Sequence, residues 1–177
     1  MRKFAFILIF LILLPTSCSK YGISEKYDQY DKYYVAQMDG NKLALNGQSP
    51  AFAASIELNL KQLNKDGTTV YILEAEYRAL DWMRIKAGES LIFYINNNTI
   101  GLKTLGPPFY YQYINGDILE TANYRIYKKD IEQLINAQEV HITLLGYDHN
   151  ENRRFNNKNF KLFAKFYEDI ILAGDFW

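Results

Sequence analysis

From Lys32 onward the chain alternates apolar and polar residues with a period of two, in short runs that end at turn-forming residues. Ile56, Leu58 and Leu60, for example, alternate with polar neighbours in the run 52–63. Successive side chains of a β-strand point to opposite faces of a sheet, so this period predicts strands with one buried face. Asp-Gly and Asn-Gly pairs between the runs favour tight turns, because glycine adopts positive φ without steric cost. The alternation therefore indicates a largely antiparallel β fold.

These runs predict about eight strands at short spacing. The strand candidates are residues 33–38, 42–45, 52–63, 69–77, 91–95, 99–105, 109–114, 118–127 and 140–147. Residues 42–45 follow the turn Asp39-Gly40-Asn41 and are expected to pair with 33–38 as a hairpin.

Two segments near the end of the chain change to a helical period. Ile131 precedes Leu134 by three residues and Ile135 by four, which places all three on one side of a helix. This spacing predicts a short helix near 129–137. A C-terminal helix near 157–172 is predicted from apolar residues on one side, which are Phe160, Phe163, Ala164, Tyr167, Ile170 and Ile171. Asn156 or Asn157 is expected to cap it, since an asparagine side chain accepts hydrogen bonds from free amides of a first helical turn.

The expected fold class is β-rich α+β, an antiparallel β-sandwich or curled sheet with two helices, in a single domain over residues 32–177. Equal numbers of basic and acidic residues, 20 of each, give no electrostatic reason to expect nucleic acid as a partner. One cysteine excludes an internal disulfide framework and a cysteine-rich zinc site.

The first 18 residues have the pattern of a targeting signal. Arg2 and Lys3 precede an unbroken apolar run over 4–14, which is too short for a membrane span and fits a secretory signal peptide. Pro15, Thr16 and Ser17 then lead directly into Cys18, the single cysteine of the chain.

Small residues running into a lone cysteine resemble the lipobox of bacterial lipoproteins, here Pro15 to Cys18. The resemblance implies that residues 1–17 are removed and that Cys18 is acylated, which makes a membrane, through a lipid anchor, the expected partner. Ser19, directly after the cysteine, resembles the residue at this position in bacterial lipoproteins that pass to the outer membrane. The polar residues 18–31 are interpreted as an acylated tether. Two alternatives remain: an ordinary secretory signal that leaves Cys18 as a free thiol, and an uncleaved anchor.

The order of elements in the second half resembles small uncharacterised envelope proteins of bacteria. A tryptophan strand at 82–85 precedes Gly88-Glu89, and a tyrosine strand at 124–127 leads into the short helix. This resemblance implies no activity and no catalytic residues.

Tyrosine is the compositional oddity, with 15 in the chain. Phe109, Tyr110, Tyr111 and Tyr113 form a cluster that we take as the candidate ligand-binding residues, since tyrosine joins a flat apolar face to a polar tip. A glycan or an envelope protein would be the partner. The alternative is that tyrosine is simply a good strand residue, with about half of the cluster facing inward.

Candidates for catalysis are weaker. Glu74 and Glu76 lie two apart on one strand and suit a glycoside-cleaving carboxylate pair, but Arg78 on the same face favours a solvated surface. His141 and His149, the two histidines, lack metal-site spacing, so neither a metal nor another cofactor is expected.

The functional expectation is a non-enzymatic lipoprotein of the cell envelope that acts in recognition or assembly. One alternative is a small envelope hydrolase acting on glycan or peptidoglycan, for which Glu74, Glu76 or Asp81 would lie in a concave pocket. A further alternative is an immunity-type inhibitor in the periplasm.

Overall fold

The computed structural model describes residues 22–30, 32–45 and 54–174. The predicted signal peptide and Cys18 lie outside these residues. The described part folds as two antiparallel sheets with a short helix and a C-terminal helix, which confirms the predicted fold class. Within it, no helix is both long enough and apolar enough to cross a membrane.

Sheet A has six strands in the order β1-β2-β4-β5-β9-β8, and sheet B has five in the order β3-β11-β10-β6-β7. The strands are β1 (Gly22–Asp28), β2 (Tyr33–Asp39), β3 (Ala44–Leu45), β4 (Ser55–Lys65), β5 (Thr68–Ala79), β6 (Glu89–Ile95), β7 (Asn98–Lys103), β8 (Phe109–Gln112), β9 (Ile118–Ile126), β10 (Val140–Leu145) and β11 (Asn150–Arg154). The helices are α1 (Lys128–Ile135) and α2 (Asn157–Phe166), and α2 continues as a π-helix over Tyr167–Leu172.

The core lies where the inner faces of the strands and the apolar sides of the helices meet. Sheet A contributes the alternating buried residues Ile56, Leu58, Leu60, Leu73 and Ala75, and sheet B contributes Leu91, Phe93, Val140, Ile142 and Leu144. Leu134 of α1 and Phe163 of α2 are buried in the same cluster, and the rings of Phe155 and Phe163 lie 5.2 Å apart. The helices therefore complete the core, as their spacing predicted.

The predicted tether over 18–31 is wrong for residues 22–28. This segment forms β1 and pairs antiparallel with β2, from Gly22 opposite Asp39 to Asp28 opposite Tyr33. An edge strand gains its stability from backbone hydrogen bonds on one side and can keep polar, exposed side chains. Its sequence therefore lacks the apolar period that marks the other strands, and the domain extends further toward Cys18 than predicted.

The predicted hairpin of 33–38 with 42–45 is also wrong. Lys42 forms an isolated bridge with Glu57, and β3 crosses to the other sheet to pair with β11. The polar strand β11 has no counterpart among the predicted strands. Both segments depend on partners far away in the sequence, which local turn signals do not report.

Buried asparagines join the end of β2 to helix α2. The Asn159 side chain donates to the side chain of Asn41 at 2.8 Å and to the Lys42 carbonyl at 3.0 Å. Asn41 in turn donates to the Leu58 carbonyl at 2.7 Å. Asn156 accepts hydrogen bonds from the backbone amides of residues 158 and 159, so it is the N-cap, one of the two predicted candidates. Satisfied polar groups of this kind fix where α2 begins on the sheet.

Tyr124 is a fully buried polar residue on β9, and its hydroxyl lies 2.9 Å from the Ser90 hydroxyl. Burial raises the pKa of Tyr124 to about 12, although the Ser90 hydrogen bond partly opposes this effect. The pKa of Tyr77 is raised further, again mainly by burial. Both tyrosines are neutral in the native core at neutral pH.

We expect the protein to lose stability between about pH 10 and pH 12, because native Tyr124 keeps a proton that the unfolded chain has released. Below about pH 10 Tyr124 is protonated in both the native and the unfolded chain, so the difference in its pKa has no effect on stability. Tyr124→Phe should reduce the pH dependence of the unfolding free energy in this window by at most about 1.4 kcal/mol per pH unit. Urea unfolding at several alkaline pH values measures it. Tyr147→Phe, at an exposed position, is the control; an unchanged slope in Tyr124→Phe would contradict the assignment.

Candidate functional site

A loop over residues 80–88 connects β5 of sheet A to β6 of sheet B, and we call it the crossover loop. It runs beside the turn that follows β10: the Lys86 amide donates to the Leu145 carbonyl at 3.0 Å, and the Tyr147 amide donates to the Arg84 carbonyl at 2.9 Å. Residues 82–85 were predicted as a strand, but Ile85 alone forms a bridge there, with Gly146. The crossover loop is thus held mainly by individual hydrogen bonds.

The side chain of Glu120, on the inner face of β9, holds the centre of the crossover loop. Its carboxylate is fully buried and accepts hydrogen bonds from the backbone amides of Met83 at 2.8 Å, Arg84 at 2.9 Å and Ile85 at 2.8 Å. A carboxylate away from water is costly unless its oxygens are hydrogen-bonded. Three charge-assisted bonds supply that compensation, so the loop and Glu120 stabilise each other.

Arg84 has a backbone φ of 53°, in the left-handed region that non-glycine residues rarely occupy. Such a conformation persists only where the surrounding contacts enforce it, as the Glu120 carboxylate and the neighbouring turn do here. The Arg84 side chain is thereby exposed on the loop, where its Nε forms an ion pair with Asp148 at 2.8 Å.

Gly146 allows the crossover loop to approach the turn after β10. A Cβ atom at this position would lie 2.3 Å from the Met83 carbonyl oxygen and 2.5 Å from the His149 carbonyl oxygen. Both neighbours are backbone atoms that cannot move aside. A glycine is therefore required for this close contact between loop and turn.

Trp82, Arg84, Tyr110 and Tyr147 line a cleft of about 410 Å³, which we call the aromatic cleft. The rings of Trp82 and Tyr110 meet edge to face with their centroids 6.2 Å apart. Tyr147 is 67% exposed, and the Lys86 ammonium lies 5.8 Å from its ring centre. Three chain segments thus bring three aromatic rings and an arginine to one opening.

The aromatic cleft combines flat apolar surfaces with few polar groups. The Tyr110 hydroxyl donates to the Ile85 carbonyl at 2.7 Å, which fixes its ring. Burial, and then the negative charge of Glu120, raise the pKa of Tyr110, so its hydroxyl stays protonated at neutral pH. Arg84 supplies guanidinium donors whose charge is partly balanced by Asp148. A ring-shaped ligand with polar substituents fits this chemistry.

The structure separates the four predicted site residues. Tyr110 enters the aromatic cleft, whereas Phe109 and Tyr111, its neighbours on β8, point to the other face of sheet A by strand alternation. Tyr113 lies with Tyr111, their ring centres 4.8 Å apart, and below the Arg78 guanidinium at 5.6 Å. Strand alternation turns Tyr110 to the inner face of sheet A, where it pairs with Glu120 of β9, although all four residues of the edge strand β8 remain exposed.

Sequence reasoning missed Trp82, Arg84 and Tyr147 as cleft residues. They are separated along the chain and carry no shared motif. One usable signal was present in β9, where the acidic Glu120 stands between Ile118 and Ala122, both of which are buried. A charged residue at an inward position requires hydrogen-bond partners, and these turn out to be the amides of the crossover loop.

Glu74 and Glu76, the hydrolase candidates, are each tied to a basic neighbour. Glu74 forms an ion pair with Lys61 at 2.8 Å, and Glu76 forms one with Arg78 at 3.0 Å. The pairs lie on the outward-facing positions of sheet A. They do not line the aromatic cleft.

Asp81 and His149 meet at Tyr77. The Tyr77 hydroxyl lies 3.2 Å from an Asp81 carboxylate oxygen and 3.4 Å from His149 Nε2, and His149 Nε2 lies 3.6 Å from Glu151. His141 is elsewhere, paired with Glu139 at 2.7 Å. Within residues 22–30, 32–45 and 54–174 no group of three or more His, Cys, Asp or Glu side chains is arranged to hold a metal ion.

We expect Glu120→Gln to destabilise the protein by about 2 to 4 kcal/mol, because a glutamine amide places a donor against a buried backbone amide. Urea unfolding followed by tryptophan emission measures the loss. Glu139→Gln is the matched control, since Glu139 is 70% exposed and its ion pair with His141 lies on the surface. Equal unfolding free energies for the two variants would show that Glu120 does not hold the crossover loop.

No protein-family model, no curated protein and no solved structure matches this chain. Function is therefore inferred from the geometry of the aromatic cleft and from the N-terminal sequence.

Proposed function

We propose that this protein is a non-enzymatic lipoprotein of the bacterial cell envelope that recognises a glycan through its aromatic cleft. The membrane anchor in this proposal is acylated Cys18, supported by the run of Pro15, Thr16 and Ser17 after an apolar segment. Ser19 supports attachment to the outer membrane. The folded domain begins by Gly22, so the anchor and the domain are close along the chain.

The observation that carries the proposal is the convergence of Trp82, Tyr110, Tyr147 and Arg84 on one cleft. A sugar ring has a flat face of C–H groups and an edge of hydroxyl groups. Aromatic rings contact the flat C–H face, while arginine and tyrosine side chains form hydrogen bonds with the hydroxyl groups. The volume of about 410 Å³ lies in the range of small-ligand sites. The Glu120 contacts hold the opening in place before binding, which lowers the entropic cost of binding.

Binding without catalysis is favoured by the groups that line the cleft. Among the residues that the structure describes, neither a carboxylate nor an imidazole lines it. Two acidic residues beside the lining already have partners, since Asp148 pairs with Arg84 and Glu120 accepts three backbone amides. General acid–base cleavage of a glycan needs a carboxyl group within reach of the scissile bond.

An envelope protein is the second candidate ligand, favoured by a different surface. Phe109 and Tyr111 are 57% and 47% exposed on β8, an edge strand of sheet A. An exposed edge with aromatic side chains can accept an extended peptide as an additional strand. Such a partner would contact β8 and Tyr113 and leave Trp82 free.

We expect the wild-type protein to co-sediment with purified cell-wall glycan and Trp82→Ala to bind about tenfold more weakly, because a stacking surface is lost. Tyr94→Ala is the matched control, since Tyr94 is an exposed aromatic residue on β6 outside the cleft. Circular dichroism verifies that both variants fold.

Two results would contradict the proposal. If no envelope glycan retains the wild-type protein, the aromatic cleft is not a glycan site. If Trp82→Ala binds normally while Phe109→Ala or Tyr111→Ala does not, recognition belongs to the β8 edge.

A further inference from the structure

A second cleft, of about 500 Å³, lies between the segment after β2 and helix α2. Four lysines, Lys42, Lys158, Lys161 and Lys165, surround it together with Leu43 and Leu162. We call it the basic cleft. Its lining also includes asparagines, and none of the described residues that line it is acidic.

Within the described residues, three of the four lysines of the basic cleft form no ion pair. Lys165 forms an ion pair with Asp169 one turn further along the helix. Among the residues that the structure describes, no carboxylate lies within ion-pair distance of Lys42, Lys158 or Lys161. A chain that begins at Cys18 has 18 basic and 20 acidic residues, so this concentration of positive charge runs against the overall composition.

The lysines are held in register by the buried asparagines. Lys158, Lys161 and Lys165 are spaced three and four residues apart, which places them on one side of α2. Asn159 fixes this helix to the segment that carries Lys42, because its side chain donates to the Lys42 carbonyl at 3.0 Å. The four lysines therefore form one positively charged surface whose arrangement is fixed by the fold.

The basic cleft lies close to the point where the chain comes from Cys18. Gly22, the first residue of β1, pairs with Asp39, and Lys42 follows three residues after Asp39. Three residues lie between Cys18 and Gly22, so the four residue steps from one to the other span at most about 14 Å even when fully extended. A lipid on Cys18 would hold this side of the domain at the membrane surface.

We infer that the basic cleft docks on the anionic phospholipid headgroups of the membrane in which the protein is anchored. The inference rests on the proposed acylation of Cys18. Phosphate groups of the headgroups complement Lys42, Lys158 and Lys161, and the attraction acts within a Debye length of the surface. Leu162, which is half-buried on α2, adds an apolar contact between the charges. Docking fixes the orientation of the domain, which a lipid chain alone does not.

The test measures how fast each lysine is acetylated in the full-length protein purified from cells and inserted into lipid nanodiscs. One set contains phosphatidylcholine alone, and the other contains about 30% phosphatidylglycerol. Lys42, Lys158 and Lys161 should react about fivefold more slowly on the anionic discs, and about 0.5 M salt should remove the difference. Lys103, exposed on β7, is the internal control and should react equally on both. Peptide mass spectrometry reads all four positions.

A double variant, Lys158→Glu with Lys161→Glu, should abolish the slower reaction of Lys42, whereas Lys103→Glu should leave it unchanged. Equal rates on neutral and anionic discs would overturn the docking. Protection of the same lysines on neutral discs by inorganic phosphate would also overturn it, since the site would then serve a free anion. If wild type enters the discs no better than Cys18→Ala, the proposed anchoring itself fails, and the docking that rests on it falls too.

Discussion

The buried carboxylate of Glu120 is the interaction on which the candidate site depends. It stands on β9 of sheet A, and its three hydrogen bonds hold the backbone of Met83, Arg84 and Ile85. Through that loop it also fixes the turn after β10 of sheet B, because loop and turn are hydrogen-bonded to each other. Replacing apolar packing with a buried charge is costly unless every oxygen is satisfied. In return, the three hydrogen bonds of Glu120 hold the irregular crossover loop in a single conformation.

The order of strands in sheet A places β1 and β8 at opposite edges of the sheet. β1, the first described strand after Cys18 along the chain, forms one edge, and β8, which carries Tyr110 into the aromatic cleft, forms the other. Five inter-strand spacings separate these edges, a distance of about 24 Å. In our proposals the membrane is held at the first edge and the glycan at the second. The sheet would therefore act as a rigid spacer between anchor and ligand.

The sequence was sufficient to predict those elements in which apolar residues recur with a regular spacing and form one buried face. The long strands β4, β5 and β9 and both helices bury one regular face, so spacing alone revealed them. It failed for β1 and β11, which are polar and are held by pairing with distant strands. The candidate site was harder still, because Glu120 and the amides it binds are some 35 to 37 residues apart. Of the predicted aromatic cluster, Tyr110 alone lines the cleft.

The most direct test of the aromatic cleft is the fluorescence of Trp82 during a titration with soluble cell-wall glycan fragments. The chain has two tryptophans, so Trp177→Phe leaves Trp82 as the single reporter. We expect a saturable shift of Trp82 emission to shorter wavelength as a sugar ring displaces water from the indole. Tyr147→Ala should move the midpoint to higher glycan concentration. Unchanged Trp82 emission with a glycan that the protein demonstrably retains would place recognition elsewhere and contradict the account.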